Sequence, residues 1–319
     1  MQNSGLPTSK LIEIFINRFS VDLKSDMAKE KKDKKPKKKR LRWILLGILG
    51  VLILYIAFSI ISAKLAPIAT LIINQGTAEV KYASSNEWIT AKSGMAVKEG
   101  MTIRTLADSK AVMILRDSSV TRLDENTEIN INNLDESSVS IVQAAGQTWT
   151  RLLKLSGIDD YEIETPDAIA TVRGTAFAVS IVNGTKIGVL EGTVHASSYK
   201  IESNVRKIIA SLDVSENNSL DVNPEKLDKL EAIMLLRDKW INDNAVQDEE
   251  HIINLRDKLI NRYSLLINII KSQNNFTDEQ IREFVTEFIK GKRSIKKMVE
   301  EGNVPKALLV LIPEELKRY

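Results

Sequence analysis

Apolar and polar positions follow three different patterns along the chain. Residues 43–63 form one uncharged apolar run, residues 66–211 show short apolar runs separated by turn residues, and residues 224–319 show apolar side chains at helical spacing. These patterns are typical of a membrane span, an all-β domain and a helical bundle, respectively. Between the last two lies a polar linker, residues 212–223, and a basic tail occupies residues 1–42.

The run at 43–63 is long enough to cross a bilayer. As a helix it would measure about 31 Å, close to the hydrocarbon thickness of about 30 Å. Two alternatives fit less well. A buried core helix would carry a polar face, and a cleaved signal peptide would end in small-x-small, where this run ends in Ile61-Ser62-Ala63.

Charge is distributed unevenly around this run. Residues 1–42 contain 13 Lys/Arg and 5 Asp/Glu, a net charge of +8, whereas residues 64–319 contain 32 and 37, a net charge of −5. Because Lys and Arg remain on the cytoplasmic side, we expect the N-terminus inside and the C-terminus outside the cytoplasmic membrane. The residues expected to fix this topology are Lys37, Lys38, Lys39, Arg40, Arg42 and Trp43.

The basic run at 29–42 is of a type that binds anionic lipid or nucleic acid. Its position beside the predicted span explains it as a topology signal on lipid, so we expect no nucleic-acid partner. Ahead of it, Leu11, Ile14, Phe15 and Phe19 recur at helical spacing. This stripe predicts that residues 1–28 contact a cytoplasmic protein or the membrane surface.

In the β domain, residues 176–192 predict a hairpin. Apolar residues alternate along both arms, and Asn183-Gly184 supplies the positive φ angles that a type I′ turn requires. A weak internal echo is also present, because Gly76-Thr77 and Gly192-Thr193 each open a predicted strand.

Residues 165–179 resemble the signature of the FecR protein domain family, which reads T-P and then V-R-G-T-x-F-x-V. The matching residues are Thr165, Pro166, Val172, Arg173, Gly174, Thr175 and Phe177. Supporting residues agree with the family in order, and these are Trp88, Gly94, Gly100, Thr105 and Gly192. The resemblance covers about residues 70–200. Met101 departs from the usual Asp, and Asp117-Ser118 replaces a D-G-S turn, which leaves the shape of that turn open.

This resemblance implies an exported all-β domain, sandwich-like or rolled like a short solenoid, that senses or binds a partner outside the membrane. The best-known members of the family regulate a sigma factor across the membrane. The family has no catalytic residues, so none are expected here.

The signature also has a physical interpretation. Pro166 fixes φ and ends a strand, and Gly174 permits a bend where a Cβ would clash. Phe177 is expected in the core. We expect Arg173 to pair with Glu162, Glu164 or Asp167, and to hold the bend together with Thr175. The alternative is that Arg173 and Thr175 contact a ligand.

The C-terminal region predicts a bundle of three to five helices. The first helix is expected to start at Asn223-Pro224, with Leu227, Leu230, Ile233, Met234 and Leu236 on its apolar face. Residues 255–270 mark a second, longer helix. Thr277 and Gln280 form a capping box before a third, which ends at Gly291.

Candidate chemistry is sparse. The chain has no cysteine and two histidines, His195 and His251, which lack metal-ligand spacing and fall in different predicted domains. We therefore expect no enzyme activity, no cofactor and no metal. His195 is expected in a strand.

Two functions remain open. The first is a non-enzymatic envelope protein that displays the β domain to bind or scaffold a protein or polymer, with residues 43–63 as its lipid anchor. The alternative is a transmembrane signalling regulator whose N-terminal segment contacts a cytoplasmic factor.

Overall fold

The computed structural model describes residues 67–203, 205–274 and 276–300. They form a domain that is mostly β-sheet, followed by a few helices, and this part of the predicted fold class is confirmed. Within these residues, no helix combines the length and the apolar character needed to cross a membrane. The predicted span at 43–63 and the tail at 1–42 lie outside the described residues.

The strands of the described chain form two sheets, named sheet A and sheet B. Their bounds are β1 Ala69–Gln75, β2 Ala78–Lys81, β3 Ile89–Thr90, β4 Met95–Val97, β5 Thr102–Thr105, β6 Lys110–Leu115, β7 Ser119–Leu123, β8 Glu128–Leu134, β9 Ser138–Arg151, β10 Asp160–Glu164, β11 Ala168–Val172, β12 Ala176–Ile181, β13 Thr185–Glu191, β14 Thr193–Glu202, β15 Val205–Ser215, β16 Asn218–Val222 and β17 Ala232–Met234.

Sheet A has the order β4-β1-β6-β7-β9-β12-β13-β16-β17. Sheet B has the order β3-β2-β5-β8-β9-β10-β11-β14-β15. The β9–β10 pair is parallel and the other pairs are antiparallel. Strand β9 belongs to both sheets and changes sheet at Gly146, whose φ is +81°.

One apolar core fills the space between the two sheets. Both sheets contribute to it, including Leu71 and Val189 from sheet A and Ile103 and Val194 from sheet B. Strands such as β6 and β8 alternate buried with half-buried or exposed side chains. Successive side chains of a strand point to opposite faces, so alternation in the sequence becomes an inner and an outer face of each sheet.

The chain crosses between the sheets at glycines. Gly76 joins β1 of sheet A to β2 of sheet B, and Gly192 joins β13 of sheet A to β14 of sheet B, with φ angles of +66° and +89°. Both glycines therefore make the same kind of crossing, which gives the weak sequence echo a structural meaning.

The predicted hairpin is formed by β12 and β13. Asn183 and Gly184 have φ angles of +56° and +120°. The prediction of a type I′ turn was wrong. That turn has a two-residue loop, whereas Ile181 pairs with Thr185 and the loop between them has three residues. Gly184 lies tightly against β16, since a Cβ there would lie 2.7 Å from the carbonyl oxygen of Val222.

The sheet continues through the segment predicted as a linker. Residues 212–223 contain the end of β15 and the whole of β16, which pairs with β13. The helix predicted from Asn223-Pro224 is also wrong. The Asn223 side chain accepts a hydrogen bond from the Glu225 amide at 2.8 Å and forms a turn.

After that turn, Leu227 is buried in the core of the β domain and residues 232–234 form β17 on the edge of sheet A. Residues 232–234 form a strand because the edge of β16 supplies backbone hydrogen-bond partners. The spacing of apolar residues in the local sequence does not reveal such a distant partner. Ile233, Met234 and Leu236, expected on a helix face, are exposed.

The helices of the described chain are α1 Lys239–Arg262, α2 Ser264–Asn274, α3 Asp278–Ile289 and α4 Ile295–Glu300. Asp238 caps α1 by accepting from the Ile241 amide at 2.8 Å. The capping box predicted at Thr277 and Gln280 is present at the start of α3. Gly291, just after α3, has a φ of +70°.

Candidate functional site

The two halves of the signature lie at opposite ends of β11. The Thr165-Pro166 pair precedes the strand and Arg173-Gly174-Thr175 follows it. Five residues of strand span about 17 Å. The signature therefore builds two local structures, not one constellation.

The first half is a buried turn between β10 and β11. The Thr165 amide donates to the Ala168 carbonyl at 2.8 Å, and its hydroxyl accepts from the Ala168 amide at 3.0 Å. That hydroxyl also lies 2.7 Å from the hydroxyl of Thr185 on the neighbouring hairpin. The Tyr199 hydroxyl donates to the Thr165 carbonyl, and burial raises the pKa of Tyr199 to about 12.

The second half is a crossing between the sheets. Val172 ends β11 in sheet B and Ala176 begins β12 in sheet A. Gly174, between them, has a φ of +74°. The return crossing at Gly192 lies directly beside it, because a Cβ at Gly192 would lie 2.7 Å from Thr175 Cγ2 and 3.2 Å from the Gly174 carbonyl oxygen. Two adjacent crossings explain why small residues are needed here.

Around this crossing, side chains divide between core and solvent. Thr175 and Phe177 are buried, and Phe177 packs edge-on against Tyr161 with ring centroids 6.3 Å apart. Arg173 is 72% exposed and donates to Asp159 at 2.8 Å, which is itself 65% exposed. The predicted partners Glu162, Glu164 and Asp167 were wrong, because Arg173 follows the end of β11 and reaches the residues just before β10. An ion pair this exposed adds little stability.

Arg173 lines a cleft of about 380 Å³ at this end of the sandwich. The other charged residues of the cleft are Lys154, Asp159 and Arg293. Gly291 and Ser294, which follow α3, also line the cleft. The signature arginine therefore faces a polar, mostly cationic cleft shared by the β domain and the helical region.

The supporting residues lie in the first part of the β domain. The ring of Trp88 contacts Arg104 at 3.9 Å and Lys81 at 4.9 Å. Gly94 and Gly100 have positive φ angles, and each donates its amide to a strand carbonyl at 2.7 Å. The Thr105 hydroxyl donates to the Asp124 carbonyl at 2.5 Å.

A buried polar cluster that the sequence did not predict joins α1 to the outer face of sheet A. Asp248 of α1 accepts from Arg122 at 2.5 Å and from the Trp149 indole at 2.9 Å, and it lies 3.7 Å from Arg151. Arg151 also pairs with Glu191 at 2.6 Å. We call these five residues the Asp248 cluster. Asp248 and Arg151 are almost fully buried.

The sequence did carry one signal for this cluster. The buried positions of α1 are Ile241, Asn244, Asp248, Ile252 and Leu255, and their spacing is that of one helix face. A carboxylate in the middle of such a stripe needs a buried partner, since an unpaired charge is costly to bury.

Apolar contacts surround the cluster on one side. Trp240 packs edge-on against Trp149, with ring centroids 6.1 Å apart. Below them the sheet carries small residues, Ala176, Ala178 and Gly188, that leave room for the helix and for Leu235. A Cβ at Gly188 would lie 2.8 Å from Leu235 Cδ1.

A second contact lies at the other end of α1. Leu153, in the connection after β9, packs into an apolar cluster formed by α1 and α3. His251 of α1 donates from Nε2 to the Ser118 carbonyl at 2.6 Å. The helices are therefore attached to the β domain at several points along α1.

The described residues contain no group of three or more His, Asp or Glu side chains arranged to hold a metal ion. His195 lies in β14, as predicted, and its Nδ1 is 2.7 Å from the exposed Asp213 carboxylate. The described surface carries an exposed cationic cleft and, at β15, an open sheet edge.

Residues 101–195 match the model of the FecR protein family, which confirms the resemblance over that part of the chain. The match runs from the start of β5 into β14 and includes the whole signature. A search of curated protein sequences finds no match.

Similar solved structures include two crystal structures, at 1.65 and 2.50 Å resolution, of a candidate anti-sigma factor from Parabacteroides distasonis ATCC 8503. Their sequence identities are 15% and 14%, with TM-scores of 0.35 and 0.34. Each alignment covers 42% of this chain and 59% of the other, so this chain spans about three-fifths of their length. A likeness this distant supports no conclusion about function.

Proposed function

We propose that this protein is a non-enzymatic signalling regulator anchored in the cytoplasmic membrane. The observation that carries the proposal is the FecR family match at residues 101–195. The resemblance to this family implies regulation of a sigma factor across the membrane. It favours the regulator over the envelope scaffold, because the best-known members of the family are regulators.

The membrane anchor in this proposal is the run at 43–63. It is supported by the length of the uncharged stretch and by 11 Lys/Arg in the 20 residues before it, against two in the 20 residues after it. The β domain and the helices would lie outside the membrane, and residues 1–42 would lie in the cytoplasm.

The parts of the chain on the two sides of the membrane would have different roles. Outside, the β domain would bind a protein that carries the signal, and its exposed sheet edge and cationic cleft support this role. Inside, the apolar stripe formed by Leu11, Ile14, Phe15 and Phe19 would contact a sigma factor or a protein of similar role.

Deletion of residues 1–28 tests the regulator directly. Transcript levels would be compared between cells with the full chain and cells with the deletion, together with surface display of the β domain. The proposal expects a changed set of transcripts with unchanged display. Unchanged transcripts with normal display would instead leave only the scaffold.

A matched pair of substitutions sharpens this test. Phe15→Ala alters the apolar stripe, whereas Asn17→Ala alters a neighbouring residue outside it. Phe15→Ala should reproduce the deletion and Asn17→Ala should behave as the unmodified chain. Equal effects of the two substitutions would contradict a specific contact through the stripe.

A further inference from the structure

The edges of the two sheets differ greatly in length. Sheet A ends in β4 and β17, of three residues each, and sheet B ends in β3, of two residues, and in β15, of 11 residues. Short edge strands are one way in which proteins prevent unwanted strand pairing. Among the described strands β15 pairs only with β14, so it is the one long edge that this protection does not cover.

Part of this edge projects beyond the rest of sheet B. Strand β14 pairs with β11 only from Val194 to Ser198, but it pairs with β15 as far as Glu202 and Val205. We call residues 199–203 and 205–208 the projecting ribbon. On one face of the ribbon, Ile201 and Ile208 are open to solvent, 68% and 49% exposed respectively. Grouped apolar side chains on a surface mark interaction sites.

Within the part of the chain that the structure describes, no strand pairs with the outer side of β15. Tyr199 donates its amide to Asp167, on the β11 side of β14. Two residues directly opposite in an antiparallel pair either bond to each other or both point their N–H and C=O groups away from each other. Tyr199 points away from β15, so Ile208, which lies opposite it, points its N–H and C=O away from β14. The outer side of Ile208 is where the next strand would bond.

The charge of the ribbon indicates which strand would fit. Lys200 and Lys207 lie directly opposite each other, and like charges in this arrangement are destabilising. Lys207 reaches Glu202 at 3.7 Å, whereas Lys200 makes no ion pair within the described residues. On the other face of the ribbon lie Ile201 and Ile208, beside Arg206.

We propose that β15 binds an extended segment of a protein partner in which apolar and acidic residues alternate. The apolar side chains would pack on the Ile201 and Ile208 face, and the acidic side chains would neutralise Lys200 and Lys207. Strand addition of this kind draws affinity from backbone hydrogen bonds and specificity from alternate side chains. This inference rests on the proposed function only in taking the external partner to be a protein.

The test uses the full chain in lipid nanodiscs and a short fluorescent peptide of alternating valine and glutamate, read by fluorescence anisotropy. We expect saturable binding. Lys207→Glu should weaken it by about tenfold or more, because a repulsive charge replaces an attractive one. The matched control is Lys98→Glu, at an exposed lysine between β4 and β5, which should leave binding unchanged. Absence of peptide binding to the unmodified chain would overturn the proposal, as would equal losses in the two variants.

Two further measurements separate strand addition from simple charge attraction. The same peptide with alternate backbone nitrogens methylated keeps its charge but cannot extend the ladder, and it should not bind. Ile208→Pro removes the outward N–H and should abolish binding while the thermal unfolding curve stays unchanged, since proline is tolerated on an open edge. Full affinity in either case would overturn the proposal.

Sedimentation of the same nanodisc sample identifies the competing occupant. A dimer that Ile208→Pro dissociates would show that β15 pairs with a second copy of the chain, and would overturn the assignment to another protein. None of these readouts depends on membrane orientation or transcription, so their failure is distinguishable from failure of the proposed regulatory function.

Discussion

The interior of the β domain and the interface between α1 and sheet A are both buried, but they are built differently. The interior is mostly apolar, with residues contributed by strands from β1 to β16. The α1 interface holds a buried carboxylate between two arginines and a tryptophan. Apolar packing tolerates modest rearrangement, whereas a buried charge needs its partners in place.

This difference means that the attachment of the helical region depends on specific polar bonds in addition to apolar contacts. The loss of the Asp248 carboxylate would leave Arg122 largely buried without a counter-charge, and the β domain beneath would keep its own core. The helices can therefore be loosened without unfolding the sheets, which the following substitutions measure.

The largest effect is expected in the core. Phe177→Ala removes a fully buried ring that packs against Tyr161 and should lower the free energy of unfolding by about 3–5 kcal/mol. Chemical denaturation followed by circular dichroism measures this. A loss below about 1 kcal/mol would contradict the burial of Phe177.

The next effect is expected at the interface. Asp248→Ala should cost about 3 kcal/mol, because Arg122 loses its buried counter-charge and Arg151 keeps only Glu191. Hydrogen exchange should rise along α1 and change little in the sheets. Asp243→Ala, at an exposed position on the same helix, is the control and should be nearly neutral. Equal protection of α1 in the two variants would show that the Asp248 cluster does not hold the helix.

A smaller effect is expected at the polar group inside the core. The Tyr161 hydroxyl lies 2.7 Å from the Thr121 hydroxyl, and Tyr161→Phe should cost about 1 kcal/mol. Burial raises the pKa of Tyr161 to about 12 from 10.0. The unfolded chain then loses this proton at lower pH than the folded chain, so stability should fall as pH rises from about 10 to 12.

Part of that fall should disappear in Tyr161→Phe, since the substitution removes the titrating group. Tyr199, whose pKa is also raised to about 12, should account for much of the remainder. An unchanged pH profile in the variant would contradict the burial of the Tyr161 hydroxyl.

The smallest effect on stability is expected at the signature arginine. Arg173→Ala breaks an exposed ion pair and should cost no more than about 1 kcal/mol. Thermal unfolding measures this loss of stability. Arg104→Ala serves as the comparison, because Arg104 also pairs with a carboxylate, that of Glu79, and in addition covers the ring of Trp88. A loss well above 2 kcal/mol would mean that Arg173 holds the crossing together, as the sequence led us to expect.

Local patterns allowed much of the β domain to be predicted. Alternation places Val179 and Ile187 inward because a strand repeats every two residues, and positive φ angles at Asn183 and Gly184 follow from their residue types. The capping box at Thr277 is equally local. The partner of Arg173 could not be predicted, because it depends on where β10 begins.

Contacts between distant segments could not be read from the sequence. Asp248 and Arg122 are 126 residues apart, and no local pattern joins them. The spacing of Leu227, Leu230 and Ile233 fits a helix face, yet the core of the β domain takes Leu227 and the edge of sheet A takes Ile233. In both cases tertiary packing decided between structures that the local sequence allows.

Membrane orientation is the central claim of the proposed function, and thiol labelling tests it most directly. The chain has no cysteine, so Ser25→Cys and Ser137→Cys each introduce a unique thiol, the second at an exposed position between β8 and β9. Intact cells, with any outer barrier permeabilised, would be treated with a membrane-impermeant maleimide. Labelling of Ser137→Cys on the full-length chain, with Ser25→Cys protected, is the predicted result. Labelling of Ser25→Cys alone would place the β domain in the cytoplasm and contradict the account.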